Sequence, residues 1–484
     1  MANPSKKPIA GALGWKLLER FGVQGVQFIL QIILARILDP DHYGILSMMV
    51  VFTTLANVFI QNGFNTALIQ NKDVTEEDYS SVFWVSLGIS GILYAVLFLA
   101  APVIGAFYEM PDMVQPLRVL ALMLIPGAFN SVQLAKVSRE MDFKQVFRSN
   151  IGGVVLSGLV GIALAYCGAG LWALVAQTLL NVVFACIVML ITVKWRPKLV
   201  CNLTRVKVLF SFGWKLLVSS LLDTLYQDLR SLVIGKKYHA DTLGYYNRGK
   251  QFPQFIISAV NGTVQSVMLP AMSAKQDEPE KVKDLMRGSV TLSSFVIFPM
   301  MAGLAAVAPA LVELLLTEKW LPCVPYLQIY CFSLAFYPVH SCNLQAINAM
   351  GRSDIFLKLE IIKKAVGLSV LVFAIVFFDS PIGIAATGIF TTVISCFINA
   401  YPNKKLIGYS YLEQMRDILP SFVISMVMFG TVILVGRVRI PTLLLLILQV
   451  MVGVAVYVVV SAVLKLAPFR MVLDTVRNVL KKGE

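Results

Sequence analysis

The chain has 484 residues, 57% of them hydrophobic and only 14% charged, with a formal net charge of +14. A mean hydropathy of +0.76 excludes an ordinary water-soluble domain. The basic excess does not point to nucleic acid either, because it is gathered in the connectors between apolar stretches.

In chain order, about fourteen apolar stretches have the length needed to cross a hydrocarbon core of about 30 Å. They are 12–37, 43–69, 80–107, 116–137, 149–167, 170–193, 209–235, 242–270, 288–316, 323–349, 356–378, 382–401, 418–436 and 441–464. Barrel strands are short and alternating, so helices are the expected element and the fold is expected to be an all-α polytopic membrane protein. Lys6-Lys7 precede an apolar segment too long for a signal peptide core, so the first helix is expected to be retained. Pro102, Pro126, Pro253, Pro299, Pro309 and Pro338 fall inside stretches, where they bend helices or serve as hinges.

With the N-terminus taken as cytoplasmic, most of the 41 Lys and Arg lie on one side. The rich segments are 136–148, 194–207, 275–287, 352–364, 402–416 and the tail from Lys465. Both termini are therefore expected in the cytoplasm of a multi-pass protein. Arg470, Arg477, Lys481 and Lys482 of the tail are expected to lie on anionic lipid. Lys236-Lys237 and Arg437–Arg439 depart from the pattern.

Gly14-Trp15-Lys16-Leu17-Leu18 recurs as Gly213-Trp214-Lys215-Leu216-Leu217, an offset of 199. Near that offset Gly44 answers Gly244 and Asn62-Gly63 answers Asn261-Gly262. Farther on, Pro116-Leu117 answers Pro325-Tyr326, Asp142 answers Asp354, and Ala169-Gly170-Leu171 answers Ile382-Gly383-Ile384. Each copy holds about six stretches, an even number, so the repeats are parallel. The expected divisions are an N-terminal six-helix bundle (1–200), a C-terminal six-helix bundle (201–405), and an appended helix pair with a basic tail (406–484). Two pseudo-symmetric bundles imply a central cleft opened alternately to each side.

Lys16, Arg20, Gln24, Gln27 and Gln31 fall on one face of the first helix. The offset converts them to Lys215, Ser219, Asp223, Tyr226 and Arg230, polar at all five positions. A polar stripe facing lipid is costly, so it faces either a wet cavity or a partner helix. Arg248 and Lys250 open the following segment. Cations along a cleft suit an anionic cargo, and guanidinium suits phosphate in particular. Alternatively Lys16 and Lys215 snorkel to headgroups, and Arg20 or Arg230 is neutralised by neighbouring Glu19 or Asp228. Asp223, the deepest acid, either binds a coupling proton or cation or pairs with Arg20 or Arg230. Asn57, Gln61 and Asn65 follow at four-residue spacing, with Gln265 in the counterpart helix. Amides so spaced suit sugar hydroxyls or helix–helix hydrogen bonds equally.

Other motifs fail. The run from Gly244 to Lys250 begins like a P-loop, but Gln251 stands where Ser or Thr should bind magnesium. The 7 cysteines are scattered without metal-ligand spacing and read as packing residues. His42, His239 and His340 are far apart, although the first two are near-equivalent in the repeat. No catalytic constellation, metal site or cofactor motif is seen. The expected class is a transport protein, not an enzyme, with no nucleic-acid partner.

The opening Gly14-Trp15-Lys16 helix resembles the polysaccharide transporter branch of the multidrug/oligosaccharidyl-lipid/polysaccharide exporter superfamily. So do Ala35-Arg36-Ile37-Leu38-Asp39-Pro40 with Tyr43-Gly44, and Asn62-Gly63-Phe64 with Ala67-Leu68-Ile69-Gln70. Leu243-Gly244-Tyr245-Tyr246-Asn247-Arg248 and Leu269-Pro270 extend the resemblance into the second half. It spans almost the whole chain and is similar to Wzx-type flippases of the colanic acid and teichuronic acid exporter kind. The resemblance implies transfer of undecaprenyl-diphosphate-linked oligosaccharide from the cytoplasmic to the outer leaflet of a bacterial inner membrane. It also implies a V-shaped pair of bundles, no cofactor, an appended pair on which a lipid tail rests, and a polysaccharide polymerase and glycosyltransferases as candidate partners. Two competitors are a cation-coupled multidrug exporter of the same superfamily and a membrane glycosyltransferase or ligase. The first should carry an acid-rich cavity and twelve helices; the second should carry large outer loops with catalytic acids.

Overall fold

A computed structural model describes Trp15 and residues 22–61, 64–70 and 73–482, with side chains described except at 64, 66, 70, 212, 259, 261–267 and 475–482. Helices and short 3-10 turns are the only regular elements among the described residues. Two compact units are formed, Met1–Gly244 and Tyr245–Glu484.

The first unit contains α1 (Gln24–Ile37), α2 (Pro40–Gln61), α3 (Phe64–Gln70), α4 (Glu76–Phe107), α5 (Val114–Leu120), α6 (Leu124–Arg139), α7 (Phe143–Tyr166), α8 (Leu171–Thr192) and α9 (Leu203–Lys237). It ends in the first turn of α10 (Ala240–Ser273). The second unit continues α10 and adds α11 (Pro279–Leu316), α12 (Val324–Ala335), α13 (Tyr337–Ala349), α14 (Ser353–Phe377), α15 (Pro381–Ala400), α16 (Asn403–Leu406), α17 (Tyr411–Val435), α18 (Thr442–Val463) and α19 (Ala467–Lys482). Among the described residues, 9 helices are long and apolar enough to cross a membrane, or up to 10 with the bent α9. The expected count of about fourteen is therefore not reached on length and apolarity alone. That count covers the described residues alone, which include α1 only from Gln24 and leave side chains of α10 undescribed at 259 and 261–267. α14 opens with several charges, and the stretch 323–349 is two short helices meeting at Phe336.

The basic linker that joins the sequence repeats is bound to the first unit. Thr75 and Asp78 form a capping box that starts α4. Asp78, 1% exposed, also receives the Arg205 guanidinium at 2.9 and 2.7 Å. Ser80 and Ser81 accept hydrogen bonds from the Lys198 and Asn202 amides, and the Trp84 indole N–H donates to the Lys198 carbonyl. Trp195, Val206 and Leu209 pack with Tyr79, Val82 and Phe83 in one apolar cluster. Beyond this anchor α9 bends by 56° between Ser211 and Gly213.

α9 then runs along α2, with Gly235 against Met48, where an added Cβ would lie 2.0 Å from the Met48 methyl. The α9–α10 turn closes on the start of α2 through two repeat-related glycines. A Cβ on Gly44 would lie 1.7 Å from the Ala240 carbonyl oxygen, and one on Gly244 would lie 2.1 Å from that of Pro40. Only hydrogen fits on either side of this crossing.

In the second unit the appended pair is part of the bundle. α17 and α18 pack on α11, and the Tyr457 hydroxyl donates to the Phe295 carbonyl at 2.7 Å. Fully buried Asn343, Asn403 and Gln414 bond to one another at 2.7–3.1 Å, joining α13, α16 and α17. Arg287–Asp417 at 2.6 Å and Lys283–Glu413 at 3.2 Å close the same end. The cysteines are free thiols among the described residues, and five of the seven are buried.

Two outcomes check this account. Gly44→Ala and Gly244→Ala should each destabilise the protein by about 1–3 kcal/mol through overpacking, whereas Gly91→Ala, with open space at its Cβ, should not. Melting of the detergent-solubilised protein, followed by tryptophan fluorescence, reads the difference; equal melting of all three contradicts the crossing. Arg205→Ala should cost about 1–3 kcal/mol by leaving Asp78 buried without its partner, and adding Asp78→Asn should recover part of it. Losses that simply add would show that the pair does not couple.

Candidate substrate site

The stripe expected on the first helix divides in space. Lys16 and Arg20 lie outside the described residues, as does the Gln265 side chain. Gln24 and Gln31 are half-buried on α1. Gln27 lines a cavity of about 380 Å³ inside the first unit, together with Asn57 and Gln61 of α2. The four-residue spacing on α2 thus brings two predicted amides to one space. Asn65 belongs to the separate helix α3 and is not in that lining.

The remaining polar wall comes from Asn130 and Ser131 of α6, Ser149 and Asn150 of α7, and Asn181 of α8. No sequence spacing signals this, because each of these helices contributes only one or two of the polar residues. Packing opens the space. Gly127 faces the Asn57 amide, with a Cβ there 3.5 Å from Oδ1, and a Cβ on Gly153 would lie 2.8 Å from the Asn181 carbonyl oxygen. Ser149 donates to the Ala185 carbonyl at 2.7 Å, and Ser131 to that of Ile60 at 3.5 Å. Asn130 donates to the Val182 carbonyl at 3.3 Å, while its Oδ1 is buried without a partner among the described residues. No lining side chain is charged.

The charged stripe lies on α9. Lys215 and Ser219 are exposed, and Asp223, Tyr226 and Arg230 are half-buried. Asp223 accepts a hydrogen bond from Gln227, one turn along, at 2.8 Å. Lys236, one of the departures from the charge asymmetry, is bonded to Glu109 at 2.9 Å. That bond holds the Glu109 carboxyl below the usual carboxylate range.

In the second unit, Arg248 is 5% exposed, with its guanidinium 5.2 Å above the centroid of the Trp320 ring, and it donates to Gln251 Oε1 at 2.6 Å. Gly249 sits against the Cys323 and Leu327 backbone, and Lys250 lies 6.0 Å from the Tyr330 ring. Asp39, Asp41 and His42 in the first unit place ligand atoms within 4.8 Å of one another, with both carboxylates exposed.

The residues match two kinds of known protein. A family model described as "Polysaccharide biosynthesis protein" matches residues 33–325. Teichuronic acid biosynthesis protein TuaB of Bacillus subtilis is 26% identical over 73% of this chain and 74% of its own length. Lipopolysaccharide biosynthesis protein WzxC of Escherichia coli is 23% identical over 87% and 86%, and succinoglycan biosynthesis transport protein ExoT of Rhizobium meliloti is 22% identical over 86% and 82%. The fold is similar to that of the lipid II flippase MurJ in an inward closed conformation, with a TM-score of 0.73 at 14% identity over 92% of this chain and 98% of that one. It is also similar to an inward-facing multidrug resistance MATE family transporter of the MOP superfamily, with a TM-score of 0.58 at 16% identity over 86% and 98%.

Arg248→Ala should lower stability by about 1–3 kcal/mol, because it removes a buried ring contact and leaves Gln251 unmet. Thermal melting without substrate measures this; an unchanged melting temperature contradicts a packing role. The model match over residues 33–325 shows that the chain belongs to the polysaccharide biosynthesis protein family, whose members are polytopic membrane transporters and not enzymes.

Proposed function

We propose that this protein is a flippase of the bacterial inner membrane that moves undecaprenyl-diphosphate-linked oligosaccharide from the cytoplasmic to the outer leaflet. It works by alternating access through a cationic cleft, with both termini in the cytoplasm and the sequence repeats 1–200 and 201–405 as its functional halves. Lys215, Arg230 and Lys250 meet the diphosphate, Tyr226 borders the path, and Asp223 takes the coupling cation or proton. The polyprenyl tail stays in lipid, so only the polar head needs a wet route.

The observation that carries this reading is the range of the relatives' names. Those names span three different glycans, teichuronic acid, lipopolysaccharide and succinoglycan. A transporter fold that serves such different glycans is best built around a charged junction to a lipid carrier. Guanidinium and ammonium groups on a membrane helix match that junction. A polysaccharide polymerase and glycosyltransferases are the natural functional neighbours of such a step.

The test uses cells lacking the protein, complemented with wild type, Arg230→Ala or Lys215→Ala. Lipid-linked glycan on each leaflet is labelled by a membrane-impermeant reagent. Deletion should hold the glycan on the cytoplasmic leaflet, and Arg230→Ala should lower transfer by about tenfold or more, the scale of a lost charge-assisted contact. Wild-type transfer by both variants would remove the cationic cleft from the account. Unchanged leaflet distribution on deletion, with new sensitivity to cationic dyes, would favour drug export instead.

A further inference from the structure

We infer that the amide cavity of the first unit is a subsite for one uncharged sugar ring of the cargo, separate from the cations that meet its diphosphate. The inference rests on the flippase reading above and concerns a different part of the substrate.

The cavity's volume of about 380 Å³ sits at the low end of the range of about 300–1,000 Å³ usual for small-ligand sites. That is ample room for a sugar ring with its hydroxyls. Its chemistry selects by exclusion. Gln27, Asn57, Gln61, Asn130, Asn150 and Asn181 bring primary amides, each with two donor hydrogens and one acceptor oxygen. A phosphate has only acceptors and carries charge, so it would lose its hydration against a wall with no cation. A metal ion or ammonium would meet no carboxylate there. A sugar hydroxyl both donates and accepts, and neighbouring hydroxyls repeat that pattern around a ring. Mixed amides match it without any charge to neutralise.

The wall is also built to stay open. Ser149 and Ser131 direct their hydroxyls to backbone carbonyls, so they do not compete for the ligand. Asn130 is held through its amide hydrogens, which leaves Oδ1 as an unmet buried acceptor. Gly127 and Gly153 keep space beside Asn57 and Asn181, where a larger residue would intrude. Met123, Val154 and Val182 supply apolar surface for the C–H face of a pyranose. Asp223 and Arg230 are not part of the lining, so charge and sugar are read by different elements.

The experiment uses the full chain in lipid nanodiscs. The probes are undecaprenyl diphosphate alone and the same lipid carrying one glucose, galactose or N-acetylglucosamine. At least one sugar-bearing lipid should bind wild type about tenfold more tightly than the bare lipid, about 1.4 kcal/mol. Asn57→Ala combined with Gln61→Ala should bring it to within about twofold of the bare lipid without weakening the bare lipid itself. Gly127→Ala, which narrows the cavity by one methyl at ordinary contact distance, gives the same reading should the double variant fail to fold. Equal binding of all four lipids by wild type overturns the subsite, as does a sugar increment that survives the variants. Sodium binding lost in the double variant, with no sugar increment, overturns it in favour of a cation. Failure of wild type to bind even the bare lipid would instead strike the flippase reading on which the subsite rests.

Discussion

The first unit depends on a place where two backbones touch. The starts of α2 and α10 cross at Gly44 and Gly244, each set against the other helix's opening carbonyls at a separation that admits no Cβ. Because α9 leads directly into that crossing, the contact fixes how α9 lies along α2. The α2 amides and the α9 charges are therefore carried by helices whose relation is set by van der Waals contact of main chains. In a hydrocarbon surrounding, where burial of apolar side chains gives little driving force, such close approach is what holds helices together.

The chemistry is arranged so that charge and neutral polarity do not mix. The amide cavity lies among α1, α2, α6, α7 and α8 without a formal charge, and Asp223 and Arg230 ride on α9. Two buried charged side chains have close partners. Asp78 takes the Arg205 fork at the linker, and Arg248 lies over Trp320. Removing either partner of such a contact leaves an unmet polar group, which costs more than the contact itself contributes.

Much of this could be read from the sequence wherever a physical period exists. Helical repeat puts Asn57 and Gln61 on one face, and a repeat offset of about 200 residues pairs Gly44 with Gly244. The third amide of the series, Asn65, left the face because α3 is a separate helix. Asn130, Asn150 and Asn181 could not be found this way, since a wall assembled from single residues on several helices has no local pattern. The burial of Arg248 against Trp320, 72 residues away, has no local signal in the sequence either. The basic segment 194–207 is legible in the sequence only as charge, whereas Asp78 and the α4 serines organise its backbone.

The central claim is that this chain by itself carries a lipid-linked glycan across a bilayer. The most direct measurement reconstitutes the purified protein into sealed liposomes holding a fluorescent undecaprenyl-diphosphate-linked oligosaccharide, and follows its arrival on the opposite leaflet by a membrane-impermeant quencher. The account predicts transfer that rises with the protein-to-lipid ratio and falls in Arg230→Ala. Transfer no faster than in protein-free liposomes, under an imposed ion gradient or potential as well as without one, would contradict it.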